Sequence, residues 1–490
     1  MSASAPTGPA AADRSASAVP GDPRPSDRVP TPWKVAYGAA GMTEQLVGMI
    51  TKQMFNPVFN IGLGISPAVI GVVLMSYRLW DAVTDLLFGN ISDNARTRWG
   101  RRRPFIVIGG VLTGLAMPLL WQASPNWSQG TIIAYMVVMG MLLYSCFTLW
   151  SMPYYSLGME MTPDYDERTR IVSWRAFFSK TTVLLGGWLL ALASLPVFSR
   201  DPSGAPDIAR GMRFLGWGIG AIIVVVAILP GLVVRERYYE AVKSRPRVNL
   251  WQSLRATGRC RPFLLVMGVY VCQTLGSSLV ASLGLYLNIY YVCGGDLKTA
   301  SVIQGVKSTV IFLPGLLSVP FWVWVCEKLG KKAALRLTIL MGFVANLLVL
   351  VCYTPEHPYL QIVPQIFLSS FGSALWMIIP SMQADIVDHD ELHTGQRREG
   401  GFASISSWVG KFSSTITTGL SGFIIVWCGF DLAKYGAQQP PEVLRTMLRW
   451  YVFLPAPFWC AALLMLHFYP ITSPVAHDIR RQLEERRGRL

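Results

Sequence analysis

Long apolar runs separated by short polar loops set the plan of this chain. Phe105–Trp121, Thr131–Leu149, Gly218–Val234 and Leu337–Tyr353 are examples. Each is close to the ~20 residues that cross a bilayer as a helix. The pattern predicts twelve spans, at 34–60, 66–92, 104–123, 131–160, 172–197, 213–234, 262–292, 300–325, 333–353, 358–386, 398–428 and 447–470. Basic residues gather in alternate loops: Arg96, Arg98 and Arg101–Arg103; Arg168 and Arg170; Arg235 to Arg261; Lys328, Lys331 and Lys332; Arg397 and Arg398; and the segment after His477. The loops between, such as 123–130 and 354–358, carry almost none. Basic loops stay on the cytoplasmic side, so both termini are expected in the cytoplasm of a multi-pass inner-membrane protein.

Two loop motifs recur in the same order, six predicted helices apart. Arg98-Trp-Gly-Arg-Arg-Arg-Pro is echoed by Lys328-Leu-Gly-Lys-Lys. Asp164-Tyr-Asp-Glu-Arg-Thr-Arg is echoed by Asp388-His-Asp-Glu-Leu with Thr394-Gly-Gln-Arg-Arg-Glu. Parallel six-helix repeats with a midplane site between them describe the major facilitator architecture. The expected fold is therefore an all-α membrane protein with twelve transmembrane helices in two six-helix halves. Its parts are an N-terminal tail (1–32), one half (33–234), a cytoplasmic linker (235–261), the second half (262–470) and a C-terminal tail (471–490).

Composition narrows the function. Of 490 residues, 52% are hydrophobic and 14% charged, against the roughly 25% charged of a soluble chain. The net charge of +15 lies in the loops, so it reports topology, and no nucleic-acid partner is expected. Eight cysteines stand singly, without CxxC or Cys/His spacing, and read as small apolar helix residues. The first ~30 residues lack an apolar signal core and read as a disordered cytoplasmic tail.

Charges inside spans are costly and mark candidate sites. Asp81 and Asp85 lie one turn apart in the second span. Two carboxylates so placed in low dielectric demand a proton, a metal cation or a fixed positive partner. They are read as a coupling-cation site; the competing reading is a structural ion pair with Arg78 or another helix. Lys411 lies about thirteen residues, or ~20 Å, into the eleventh span, too deep for easy snorkelling. Arg175 is one turn into the fifth span, where snorkelling and a functional role are both open. Lys307 is near the outer end of the eighth span and is expected to snorkel. In the loops, Arg101–Arg103 with Asp93, and the clusters around Asp164 and Asp388, can form ion pairs that close the cytoplasmic side and break when it opens. Arg168, Arg170, Asp388, Arg397 and Arg398 form this expected gate, with Asp164, Asp166 and Asp390 as partners across the halves. Positive-inside anchoring alone is the plainer reading.

Several of these stretches are familiar. Tyr37-Gly, Arg78-Leu-Trp-Asp-Ala-Val-Thr-Asp, Arg96-Thr-Arg-Trp-Gly-Arg-Arg-Arg-Pro-Phe, Thr162-Pro-Asp-Tyr-Asp-Glu-Arg-Thr-Arg and Thr394-Gly-Gln-Arg-Arg-Glu-Gly resemble the glycoside–pentoside–hexuronide:cation symporter family, which includes melibiose permease. The likeness runs from about Trp33 to Tyr469. It implies a symporter by alternating access, with Asp81 and Asp85 as cation ligands joined by Thr84 and Thr148. It also implies substrate-side roles for Arg175, Tyr155 and Lys411. Gln45 and Ser151 stand where melibiose permease has sugar-binding aspartates, and Glu44 where it has a lysine, so galactoside transport does not carry over. Animal lysolipid transporters resemble the chain at some of the same positions, which keeps an amphiphile as the alternative substrate.

The expected partners are a small solute, a coupling cation (Na⁺, H⁺ or Li⁺) and the lipid bilayer, with the chain a monomer and no further cofactor. A membrane-embedded enzyme is disfavoured, because there is no GxSxG or HExxH and the five histidines sit near span ends or in loops. With Gln45 and Ser151 neutral and Glu44 placed ~100° away on its helix, the pocket is expected to carry surplus positive charge and to favour an anionic solute such as a uronide.

Overall fold

The computed structural model describes residues 28–95, 97–162, 165–202, 204–235, 258, 260–395 and 398–487. The expected N-terminal tail up to residue 27, nearly all of the linker, and Arg96, Asp164 and Arg397 lie outside the described residues, as do the side chains of Asp93 and Asp166.

Twelve helical rods fall at the twelve predicted positions. The N-terminal half comprises α1 (Thr31–Phe55), α2 (Pro67–Asn94), α3 (Arg103–Leu119), α4 (Gln129–Glu160), α5 (Tyr165–Gly187) and α6 (Ile208–Val233). The C-terminal half comprises α7 (Arg261–Leu279, extended by Ala281–Tyr286), α8 (Leu297–Leu329), α9 (Lys331–Cys352), α10 (Ile362–Thr394), α11 (Glu399–Trp427) and α12 (Pro441–Phe453, continued by Pro455–His467). Eight of these are long and apolar enough to cross a membrane. The other rods, α1, α2, α3 and α5, are short or hold charges within the apolar stretch, and those charges include Asp81, Asp85, Glu44 and Arg175. A further helix, α13 (Ser473–Arg487), follows; its Ile479 and Leu483 are buried in the C-half core.

Local chemistry starts and stops the rods. Ser128, Asp207 and Asp296 accept from backbone N–H groups at the N-termini of α4, α6 and α8, satisfying donors that a helix start leaves free. Proline occupies the first turn of α1, α2, α3, α7 and α12, where its missing N–H costs nothing. Within each half, glycines let backbones approach. Gly109 lies against the backbone of Trp150, and Gly114 and Gly220 face each other across α3 and α6, the small-residue packing that lipid-embedded helices use.

The internal repeat reaches into the geometry. The ends of α1 and α7 both widen into π-turns, Asn56–Gly62 and Leu287–Val292. In each an asparagine bonds beyond its own turn: Asn60 Nδ2 donates to Ile65 O in the loop before α2, and Asn288 Nδ2 to Ala300 O on α8, both at 2.8 Å. The echoed basic loops match too. Arg101 and Arg102 pair with Glu160 at the end of α4, while Lys331 pairs with Asp385 near the end of α10.

The contacts between halves lie on the side away from the basic loops. Gly71 on α2 lies against Gly419 on α11, and Gly422 against Pro67. Gly187 at the end of α5 and Trp188 just after it meet Ser308 and Gly305 on α8, with Trp188 Nε1 donating to Thr309 at 2.9 Å. Tyr286 donates to Asn60 Oδ1 at 2.7 Å, both buried. On the basic side the same surfaces are apart. Trp408 and Phe412 on α11 are 68% and 55% exposed, and a Cβ on Gly89 of α2 would meet nothing within 4 Å. The space between the halves therefore opens toward the basic loops.

Lys307 does not snorkel. It is 4% exposed, its Nζ donates to Gln361 Oε1 at 2.6 Å, and it lies 5.3 Å from the Tyr353 ring centre. Gln361 passes the network on to Asn288 at 2.7 Å. The α8 position near a span end made escape to water look cheap, but the turn before α10 folds over it.

Candidate functional site

Two charged clusters face the opening between the halves. The first is built on α2, α4 and α11. The four-residue spacing puts Asp81 and Asp85 on one face of α2, and α4 brings Thr148 beneath them. Thr148 donates to Asp81 Oδ1 at 3.1 Å and accepts from Thr84 at 3.2 Å. Thr84 and Thr148 are buried, at 3% and 0% exposure. The four residues implied as a cation site therefore come together, two carboxylates over two hydroxyls. Oxygen donors of this kind suit a hard monovalent cation or a proton. Among the described residues no group of three or more His, Cys, Asp or Glu is placed to hold a metal ion.

Lys411 of α11 reaches across the halves and binds Asp85 Oδ2 at 2.6 Å. Its side chain is 56% exposed while that of Asp85 is 14%, so the ammonium stands at the edge of the opening. One carboxylate of the pair thus has a fixed positive partner and the other a hydroxyl. The sequence could place Lys411 at depth but could not show its partner, 326 positions away.

The second cluster joins α1, α4 and α5. Arg175 Nη2 donates to Glu44 Oε2 at 2.5 Å, with both side chains about one-third exposed. The guanidinium lies 5.0 Å from the Tyr155 ring centre and 6.0 Å from that of Tyr154. Behind it, Tyr37, Tyr154 and Trp150 stack with 4.5 Å between successive ring centres, and Tyr154 donates to Tyr37 O. Arg175 therefore faces the opening and does not snorkel. Glu44 corrects the sequence reading: an offset of ~100° from Gln45 does not remove it from the cavity, because the long arginine of α5 reaches that side of α1. This carboxylate offsets the charge of Arg175, while Arg78 remains beside Asp81 and 5.9 Å from the Tyr144 ring centre. Gln45 is half-buried and Ser151 is 2% exposed, which keeps the serine hydroxyl away from the opening in this conformation.

The described ion pairs of the loop residues on the basic side lie inside their own halves. Arg398 grips Asp390 through both Nη2 and Nε at 2.6–2.9 Å. Arg170 and Lys34 both bind Glu167, at 2.8 and 2.6 Å, and Arg168 donates to Thr162 O. Asp388 is half-buried at the end of α10. No ion pair joins the halves here among the described residues, as the open geometry of this side requires.

The chain matches the family described as MFS/sugar transport protein over residues 36–473. It is 26% identical to a glucuronide carrier protein homolog of Escherichia coli K12, over 86% of this chain and 89% of that one. It is also 26% identical to the sodium-dependent lysophosphatidylcholine symporter 1-B of Danio rerio, over 93% and 90%. Among solved structures it resembles a D-xylose-proton symporter at 15% identity, with a TM-score of 0.60 over 91% of this chain and 98% of that one.

Proposed function

The chain belongs to the MFS/sugar transport protein family, and from that premise we propose that it carries a sugar or glycoside together with a monovalent cation, Na⁺ or H⁺, by alternating access. It is a transporter and not an enzyme. The basic loops face the cytoplasm, which makes the open side the inward one.

One observation carries the reading: the only hydrogen-bonded ion pair between the halves among the described residues, Lys411–Asp85, also closes a two-carboxylate site. A Na⁺ or proton arriving between Asp81 and Asp85 competes with Lys411 for Asp85. Displaced, the ammonium is free to donate to a hydroxyl of the sugar, so cation and sugar each favour the state that the other prefers. Arg175 and Glu44 present fixed donors and acceptors on the opposite wall, and Tyr155 an aromatic face. With one cation bound, Glu44, Asp81 and Asp85 stand against Arg175, Lys411 and the ion, and Arg78, one turn before Asp81 and 5.9 Å from the Tyr144 ring centre, adds a further positive charge. The loaded centre therefore keeps a surplus of positive charge.

Counterflow in proteoliposomes tests the assignment. Asp85→Asn should still exchange labelled glycoside while losing most of its cation stimulation, a fall of at least about tenfold, as loss of a charged ligand implies. Full cation dependence in both Asp85→Asn and Asp81→Asn would make the pair structural. An amphiphile is the second reading, favoured by the stacked, exposed Trp408 and Phe412 beside Lys411 and by the Danio rerio relative. A labelled lysophospholipid exchanged in place of every glycoside would select it.

A further inference from the structure

The face opposite the basic loops should be poor in arginine, yet one cavity there is lined by three. Arg200, Arg210 and Arg213 share its wall with a single carboxylate, Asp207. That carboxylate is already committed. Its Oδ1 accepts from the backbone N–H of Arg210 at 2.9 Å and caps α6, and its Oδ2 lies 3.5 Å from Arg200 Nε. Arg210 and Arg213 are three residues apart and so lie on one side of α6, where like charges are mutually destabilising. Their other partners are neutral carbonyls: Arg210 donates to Ser199 O and Arg213 to Ala123 O. Among the described residues the cavity wall therefore sets three guanidinium groups against one committed carboxylate, a surplus of positive charge that an anion would offset.

The position of the cavity suggests which anion. Its remaining walls include Leu63, from the turn between α1 and α2, and Leu297, the first residue of α8. It therefore sits on the seam between the halves, where the Tyr286–Asn60 bond closes this side. We propose that this cavity is an oxyanion-binding vestibule that takes a carboxylate or phosphate group at the outer mouth of the pathway. Arg210 and Arg213 supply the binding donors and Arg200 the third charge. The site does not depend on the charge of the transport centre. Its description as the outer mouth rests on the transport reading above, but anion binding itself does not.

Equilibrium binding to the purified full-length chain in neutral detergent tests it, with labelled inorganic phosphate and D-glucuronate as probes and D-glucose as the neutral control. Wild type should bind both anions saturably, more weakly as salt rises above roughly 0.1 M. R210Q/R213Q should weaken both by at least about tenfold without changing glucose binding, and R210K/R213K should restore part of the loss. Asp85→Asn should leave anion binding intact, which separates this site from the transport centre. A repeat in nanodiscs of phosphatidylglycerol against phosphatidylcholine separates the sources: competition by phosphatidylglycerol identifies a lipid phosphate, and its absence a soluble anion. No binding to wild type, or equal binding to wild type and R210Q/R213Q, overturns the proposal.

Discussion

At the scale of single residues, the site turns on long side chains that reach partners far away in sequence. Glu44 and Arg175 are 131 positions apart and share a 2.5 Å bond. Removing the carboxylate with Glu44→Gln leaves the guanidinium beside Tyr155 uncompensated and raises the positive charge of the loaded centre. The expected outcome is a shift in competition: uronides should gain on their neutral parent sugars by about tenfold, near the lower bound for a charged hydrogen bond. Inhibition of labelled uptake by matched acidic and neutral glycosides measures this, and an unchanged ratio would remove Glu44 from the pocket. Asp81, Asp85 and Lys411 were legible in the sequence because charge within an apolar run is expensive. Their pairings were not, since a partner on another helix leaves no local trace. Glu44 and Lys307 were misread for one reason. Helical angle and depth were judged from their own rods, while Arg175, Gln361 and Tyr353 arrive from others.

At the scale of helices, α2 and α11 pack closely at one end, Gly71 against Gly419 and Gly422 against Pro67. Gly71 and Gly89 are eighteen residues, five turns, apart and so lie on one face of α2. Trp408 is eleven residues, about three turns, before Gly419 on α11. The face that packs at Gly71 and Gly419 thus continues on the basic side as Gly89 opposite Trp408 and Phe412, with Asp85–Lys411 between. Rocking the halves the other way should seat these aromatics against Gly89. Cysteines at Gly89 and Trp408, joined by a short bifunctional linker, should stop transport, and a reducible linker should restore it on cleavage. Uninhibited transport after complete cross-linking would show that these faces never meet. The rods themselves were legible from their apolar length, and the echoed loops marked where the basic side chains gather; their partners Glu160 and Asp385, near the ends of other rods, were not legible. The twin π-turns after α1 and α7 were not, because their irregular backbone is fixed by Asn60 and Asn288 bonding beyond their own turns.

At the scale of the whole molecule, sidedness and coupling follow from how charge is distributed. Reporter fusions after Ser128 and after Arg487 should report opposite sides of the membrane, with Arg487 inside; matching signals would invalidate the orientation. The halves pack on one side and part on the other, and in the proposed mechanism the pathway is gated by motion about the region that holds Asp81, Asp85 and Lys411. The most direct test of this account is uphill transport. Proteoliposomes carrying the purified chain are given an inward Na⁺ gradient or an inward proton gradient, and internal labelled glycoside is measured against time. The account predicts accumulation above the outside concentration under one of these gradients, its collapse when an ionophore dissipates that gradient, and no accumulation with Asp85→Asn. Glycoside that only equilibrates, at the same rate with and without either gradient, would contradict it.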